Sequence, residues 1–284
     1  MGNLYVVATP IGNLNDMTER AIETLKEVDY ILCEDTRTSL KLLNHFDIKN
    51  KLVSYHKFNE QDRSDSIIND LKKGMNIAVI SDAGTPCIND PGEVIVRRAR
   101  EEQIPVFGIG GISAVITALS ISGLDSSSFT YYGFFPREKK DQNKIIEEID
   151  RSDIKTFVFY ESPKRIIKTL EILEKELPNI KVSISKELTK LHEKNYYGDI
   201  AKVLQKLKND EKAQVGEYTF IIEKPKQIQK EENDISIEAL LIDLIIKKNI
   251  TIKEAVDIVN KENQNLSKKD IYNASLNLKS ILNK

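Results

Sequence analysis

The residues able to do chemistry gather at the ends of short apolar runs. The densest group follows Ile77-Ala78-Val79-Ile80, where Ser81-Asp82-Ala83-Gly84-Thr85-Pro86-Cys87-Ile88-Asn89-Asp90-Pro91-Gly92 brings acids, glycines and prolines into one stretch. An apolar run broken by Asp, Gly, Asn and Pro reads as a buried strand and its loop. In such a loop Asp82 can accept hydrogen bonds and Gly84 lets a ligand approach the backbone, while Pro86 and Pro91 stiffen the path. Glu34-Asp35-Thr36-Arg37 sets two acids and a base after Tyr30-Ile31-Leu32-Cys33, and His56 and Asn59 follow Leu52-Val53-Ser54-Tyr55. Lys186-Glu187-Leu188-Thr189-Lys190-Leu191-His192 follows another apolar run in the second half. Ser113-Ala114, after Gly108-Ile109-Gly110-Gly111-Ile112, opens a helix whose free N–H groups can meet a carboxylate or hydroxyl. Each stretch can also be read as a solvated connection or a helix cap.

The elements that must position these residues alternate. Strands are predicted at Leu4 to Ala8, Tyr30 to Cys33, Leu52 to Tyr55, Ile77 to Ile80 and Val106 to Ile109. Between them lie a helix capped by Thr18, helices over Leu40 to Phe46 and Ser64 to Lys73, and an amphipathic helix from Glu93 to Arg100. A helix from Ile112 to Ser122 stops at Gly123. Strand–helix alternation implies a parallel sheet covered on both faces, with ligands at the carboxyl ends of the strands. Beyond it, strands are predicted at Phe129 to Phe135, Thr156 to Tyr160, Ile180 to Ser185 and Tyr218 to Glu223. A helix is expected over Gln142 to Ile149 and another opening at Ser162-Pro163. Lys224 to Asp234 is polar and reads as a linker. From Ile235 to Lys284 helical spacing runs throughout, as in Leu240, Leu241, Leu244 and Ile245. The expected organisation is an N-terminal α/β domain over 1–112, a second α/β domain over 113–224, a linker over 225–234 and a helical domain over 235–284. Polar loops of the two α/β halves can then face each other across a cleft.

Composition narrows the classes. A chain of 284 residues suits two domains and an appendage, and a formal net charge of -2 carries no global nucleic-acid signal. The two cysteines, Cys33 and Cys87, cannot build a disulfide framework, which fits a reducing compartment. With His45, His56 and His192 scattered, no metal-ligand spacing is present and no metal is expected. The opening Met1-Gly2-Asn3-Leu4-Tyr5-Val6-Val7 reads as neither signal peptide nor membrane span, so a cytoplasmic protein is expected. The stretch Gly108-Ile109-Gly110 lacks the last glycine of a dinucleotide fingerprint, which counts against a nicotinamide oxidoreductase.

Taken in order, Ala8-Thr9-Pro10-Ile11-Gly12-Asn13-Leu14, Cys33 to Arg37, Leu42-Leu43-Asn44-His45-Phe46, Val53-Ser54-Tyr55-His56, Ser81 to Pro86, Tyr160-Glu161-Ser162-Pro163 and Lys186 to His192 carry a specific pattern. Together they closely resemble the ribosomal RNA small subunit methyltransferase I family, of the tetrapyrrole-methylase fold. The resemblance spans the whole chain. It implies two α/β domains with S-adenosylmethionine in the cleft between them, a small C-terminal helical domain, and a homodimer. It implies 2'-O-methylation of a cytidine in the decoding region of small-subunit ribosomal RNA. Carried over by position, donor contacts fall on Pro10, Asp82, Gly84, Thr85, Ser113 and Ala114, with Tyr160 and Leu188 from the second domain. The chain departs from the family where Gly110-Gly111-Ile112 replaces a usual Pro-Gly-Pro, and where Lys164 stands in place of a common histidine. Losing the prolines costs pre-organisation of that loop.

A ribose hydroxyl is protonated at neutral pH, so the implied reaction needs a proton acceptor. Glu34, Asp35, His56, Lys186 and Glu187 are candidates, with Glu34, Asp35 and Lys186 the expected catalytic neighbourhood. Arg37 and Lys41 suit phosphate contacts, and His56 and Asn59 join them as expected RNA-facing residues. Two rivals stay open: a methylase of a small tetrapyrrole-like substrate, and a non-catalytic ribosome-binding protein on the same fold.

Overall fold

The computed structural model describes residues 1–225, 236–262 and 266–282. The chain divides into two compact units, Met1–Pro225 and Lys226–Lys284. The linker expected over 225–234 lies, apart from Pro225, outside the described residues.

The first unit holds two sheets. In the first, β1 (Leu4–Val7), β2 (Tyr30–Cys33), β3 (Leu52–Ser54), β4 (Ile77–Val79) and β5 (Val106–Ile109) lie in the order β3-β2-β4-β1-β5. All neighbours are parallel. Alternation along β4 explains both faces. Ile77 and Val79 join Leu4, Leu32, Ile67, Leu71 and Ile95 on the side of α3 (Glu60–Lys72) and α4 (Glu93–Glu101). Ala78 joins Val7, Leu25, Ile31 and Leu43 on the side of α1 (Glu19–Glu27) and α2 (Thr36–His45). The helices after β1 and β4 therefore leave on opposite faces, which opens a crevice between two adjacent strand ends. Thr18 caps α1 as expected, its hydroxyl accepting from the Ala21 N–H at 3.2 Å.

The second sheet is mixed. Its strands are β6 (Phe129–Phe134), β7 (Thr156–Glu161), β8 (Lys181–Lys186), β9 (Lys194–Asp199) and β10 (Tyr218–Glu223), in the order β6-β7-β10-β8-β9. Only β6 and β7 run parallel; the other pairs are antiparallel. One face carries α6 (Lys139–Arg151), α7 (Ile166–Glu176) and α8 (Ile200–Lys208), sealed by Phe157, Phe159, Leu170, Ile184, Val203 and Phe220. The other face receives α5 (Ala114–Ser122), where Val115, Ala118 and Leu119 meet Val158, Leu188 and Ile221. Gly123 ends α5 in the left-handed conformation, as expected.

Three elements differ from the sequence reading. Helix α7 begins at Ile166, not at Ser162-Pro163: the Ser162 carbonyl accepts from the Arg165 and Ile166 N–H groups, so a turn precedes the helix. Strand β9 and helix α8 fill a region to which no element had been assigned.

The second unit is a three-helix cluster of α9 (Ile237–Lys248), α10 (Ile252–Glu262) and α11 (Lys268–Leu282) around Leu241, Ala255, Val259, Ile271, Ala274 and Leu278. Each start has a side-chain cap. Ser236 accepts from Ala239, Thr251 and Glu254 cap one another, and Ser267 accepts from Asp270. No described helix is long and apolar enough to cross a membrane.

Candidate active site

The crevice at the first sheet begins with one pairing. Thr9, just after β1, and Gly84, after β4, exchange both backbone hydrogen bonds at 2.8 and 3.0 Å. The Thr9 hydroxyl also donates to the Ser81 carbonyl at 3.1 Å. Gly84 has φ +80°, a conformation that a side chain would strain. This pairing presents the loop after β4 to a cavity of about 410 Å³. One wall is Ile11, Asp82 to Thr85 and Ile88 to Asp90; another is Ser113 to Val115 at the start of α5. The second sheet closes it with Tyr131, Phe134, Tyr160 to Pro163, Ser185, Leu188 and Glu217 to Thr219. Tyr131 and Phe134 come from β6, and the others from the ends of β7 and β8 and the start of the antiparallel β10 between them.

The two halves also touch directly across this cavity. The Asn89 amide donates to the Tyr131 hydroxyl at 2.5 Å. Strand β6 is irregular between Tyr131 and Phe134, and Gly133 there has φ +73°. A side chain at Gly133 would stand 3.0 Å from Asn89 Oδ1, so the glycine makes room for the contact. The Tyr131 and Tyr160 rings meet edge-on with centroids 5.3 Å apart. Burial pushes both phenols above their ordinary range, so they stay protonated.

The structure brings Asp82, Gly84, Thr85, Ser113, Ala114, Tyr160 and Leu188 together in the cavity wall. Pro10 is buried beside it without lining it. Burial raises the Asp82 carboxyl, opposed by the Asp35 N–H that donates to it at 3.3 Å. At the start of α5 the Ser113 carbonyl accepts from Thr117, and the Ala114, Val115 and Ile116 N–H groups have no partner among the described residues. These donors carry the partial positive charge of the helix end into the cavity.

The expected catalytic neighbourhood comes apart. Lys186 does not line the cavity. It is buried, with its ammonium 3.2 Å from Asp210 and donating to the Lys212 carbonyl. The reason is strand parity: Val182 and Ile184 face the helices, and Lys186 shares their side, while Ser185 takes the cavity side. Asp35 caps α2, accepting the Arg37 N–H at 2.8 Å, and holds the Arg37 guanidinium by two bonds of 3.1 and 2.7 Å. Arg37 thereby holds the Asp35 carboxyl at about 2, which makes it a poor proton acceptor. Glu34 is exposed at the end of β2, outside the wall. Glu187 is held by Lys190 at 2.9 Å and by the Glu217 N–H. Arg37 and Lys41 are exposed on α2. Asn59 braces its own turn, accepting from the His56 N–H at 2.8 Å and donating to the Ser54 carbonyl, and neither it nor His56 lines the cavity. Residues absent from the sequence reading of the site are Asn89, Asp90, Tyr131 and Glu217. Asn89 and Asp90 stood in the central loop and carried a signal; Tyr131 and Glu217 depend on the order of the second sheet.

The family model described as Tetrapyrrole (Corrin/Porphyrin) Methylases matches residues 3–204. The ribosomal RNA small subunit methyltransferase I of Halalkalibacterium halodurans is 43% identical over 277 residues, covering 96% of this chain and 94% of that protein. Its counterpart from Escherichia coli O157:H7 is 38% identical over 276 residues, covering 97% and 95%. The chain belongs to the ribosomal RNA small subunit methyltransferase I family. Its fold is that of the tetrapyrrole methylases. Diphthine synthase superposes with a TM-score of 0.62 at 12% identity, covering 79% of this chain and 90% of that one. A uroporphyrin-III-C-methyltransferase from Thermus thermophilus gives 0.54 at 17%, covering 79% and 95%.

The cavity fits the methyl donor S-adenosylmethionine on its own chemistry. Its size lies in the range of small-molecule sites, its wall mixes aliphatic and aromatic side chains suited to an adenosine, and its polar groups are few and convergent. The unpartnered N–H groups of α5 suit a carboxylate or hydroxyl, and Asp82 can accept from hydroxyl or amino groups.

Proposed function

We propose that this protein transfers the methyl group of S-adenosylmethionine to the 2'-hydroxyl of a cytidine in the decoding region of small-subunit ribosomal RNA. It acts as a homodimer in the cytoplasm. The observation that carries the reading is the cavity between the two sheets, which gathers Asp82, Gly84, Thr85, Ser113, Ala114, Tyr160 and Leu188 in a chain of this family. When bound, the donor supplies a methyl group already activated on a sulfonium. The residues of the chain bind and orient it: Gly84 by close backbone approach, Asp82 as acceptor, the start of α5 as donor, and Leu188 and Tyr160 by excluding water. Arg37 and Lys41, exposed on α2, serve as phosphate contacts outside the cavity. Exposed Ile116 and Ile121 on α5 and Phe107 on the edge strand β5 offer apolar surface for a second copy.

Calorimetry with S-adenosylmethionine tests the donor site. Methyl transfer to small ribosomal subunits, followed by mapping of 2'-O-methyl positions, tests the substrate. Donor binding without transfer to subunits overturns the RNA reading in favour of another acceptor. Absence of donor binding supports a ribosome-binding protein without catalysis.

A further inference from the structure

Four carboxylates line the cavity: Asp82, Asp90, Glu161 and Glu217. Three are engaged. Glu161 is buried and accepts from the Ser162 N–H at 2.7 Å and the Thr169 hydroxyl at 2.6 Å, with Arg165 at 3.3 Å. Glu217 pairs with Lys190 at 2.9 Å. Asp82 takes the Asp35 N–H. Asp90 makes no hydrogen bond or ion pair with any described residue. Its place is nevertheless fixed, because Asn89 before it is tied to Tyr131 of the second sheet and Pro91 follows it.

We propose that Asp90 is the catalytic residue that accepts the proton of the attacking ribose hydroxyl. The inference rests on the reading of the protein as a ribose methyltransferase. In the step, the O–H bond breaks and its proton passes to a carboxylate oxygen of Asp90. The ribose oxygen forms the new bond to the methyl carbon, and the electron pair of the carbon–sulfur bond stays on sulfur. Asp90 then gives its proton to solvent.

The surroundings suit the task. Glu34 at the end of β2 and Asp82 after β4 bring negative charge, Lys57 after β3 opposes it, and Tyr131 of β6, Tyr160 of β7 and the Cys87 thiol face the same carboxyl. Burial first, then Glu34 and Asp82, push Asp90 up to about 6. A base with that affinity is about nine-tenths ionised at pH 7 and is stronger than an ordinary carboxylate. By comparison, Asp35 is held low by Arg37 and Lys186 is sequestered.

The test uses the full chain with Asp90→Asn and Asp90→Glu, measuring single-turnover methyl transfer to small ribosomal subunits at saturating donor. Asp90→Asn is expected to slow the saturated step by about 100-fold or more at pH 7 while S-adenosylmethionine affinity stays within about threefold of the wild type. The wild-type rate should rise through pH 6 and level off, and the variant should lose that limb. Asp90→Glu should recover part of the rate. Independently of activity, carbon-13 NMR of aspartate-labelled free protein should show one carboxyl titrating near 6 that Asp90→Asn removes. A wild type that methylates subunits while Asp90→Asn keeps its rate and pH profile overturns the proposal and leaves the functional reading standing. So does an Asp90 carboxyl titrating near 4. A wild type that methylates no subunit fails the functional reading itself.

Discussion

Lys186→Ala separates a structural lysine from a catalytic one. The side chain is 4% exposed and its ammonium serves three neighbours: Asp210 at 3.2 Å, the Lys212 carbonyl, and the Tyr218 ring at 5.7 Å from its centroid. Breaking a buried pair costs about 3–5 kcal/mol when the remaining charge is stranded. Asp210 is not stranded here, because Tyr196 at 2.7 Å, Lys194 at 3.1 Å and the Lys212 N–H at 3.2 Å still reach it. What is lost is a charge-assisted hydrogen bond, the donor to the Lys212 carbonyl and the packing of the stem, so about 2–3 kcal/mol is expected. Urea unfolding checks the loss. Asp210 supplies a pH signature: the Tyr196 hydroxyl, with Lys194 and Lys186, holds its carboxyl well below the usual range. A carboxyl lowered in the folded state contributes stability above its unfolded value of about 4, and that contribution fades as pH falls through the folded value. The penalty of Lys186→Ala should therefore be full at pH 7 and shrink below about pH 4. Single-turnover transfer by the folded variant should stay close to wild type. A variant as stable as wild type but more than tenfold slower would refute the reasoning and return Lys186 to the reacting groups.

Four further outcomes are expected. Asp82→Ala should weaken S-adenosylmethionine binding more than tenfold, or about 1.4 kcal/mol, by calorimetry; unchanged affinity would move the donor away from the loop after β4. Arg37→Ala should weaken subunit binding and flatten its salt dependence without slowing the saturated step, because the guanidinium is exposed and outside the cavity. Asp90→Asn should raise the melting temperature at pH 8 and change little at pH 4. A carboxyl raised to about 6 when folded favours the native state only below its unfolded value, and that advantage is lost as pH rises through 6. Deleting 226–284 should leave a folded unit that binds the donor at full affinity and subunits more weakly; unchanged subunit binding would exclude the helical unit as a substrate arm.

The first sheet was legible because its inner strands β2 and β4 are buried on both faces and its helices announce themselves by spacing and caps. Ile77, Val79 and Ala78 divide between two cores, and Thr18 and Gly123 act where local chemistry places them. Strand β9 was not legible for the opposite physical reason. Lys194, Asn195, Tyr196, Tyr197, Gly198 and Asp199 form an edge strand with no fully buried residue, held mainly by pairing to β8, with Tyr196 alone of its side chains packed against the apolar core. Helix α8 did carry a signal: Ile200, Val203, Leu204 and Leu207 fall at helical spacing and are all buried.

The same distinction governs the site. Loops at the carboxyl ends of β1 and β4 declare themselves through Thr9, Asp82 and Gly84, because a crevice at that position follows from the topology of any such sheet. The far wall does not, since β10 enters between β7 and β8 only after an excursion through β9 and α8. Lys186 is the instructive case. Residue type suggested chemistry, yet parity along Val182, Ile184 and Lys186 already assigned it to the helix-covered face, and Ser183 and Ser185 to the other. Asp90 is its mirror image: an unremarked acid in a proline-bounded loop that becomes the one unengaged carboxylate in the cavity once Glu161, Glu217 and Asp82 find their partners. A proton acceptor must keep its lone pairs free for substrate. The search for one therefore depends less on which residues are acidic than on which acids the fold leaves unpaired.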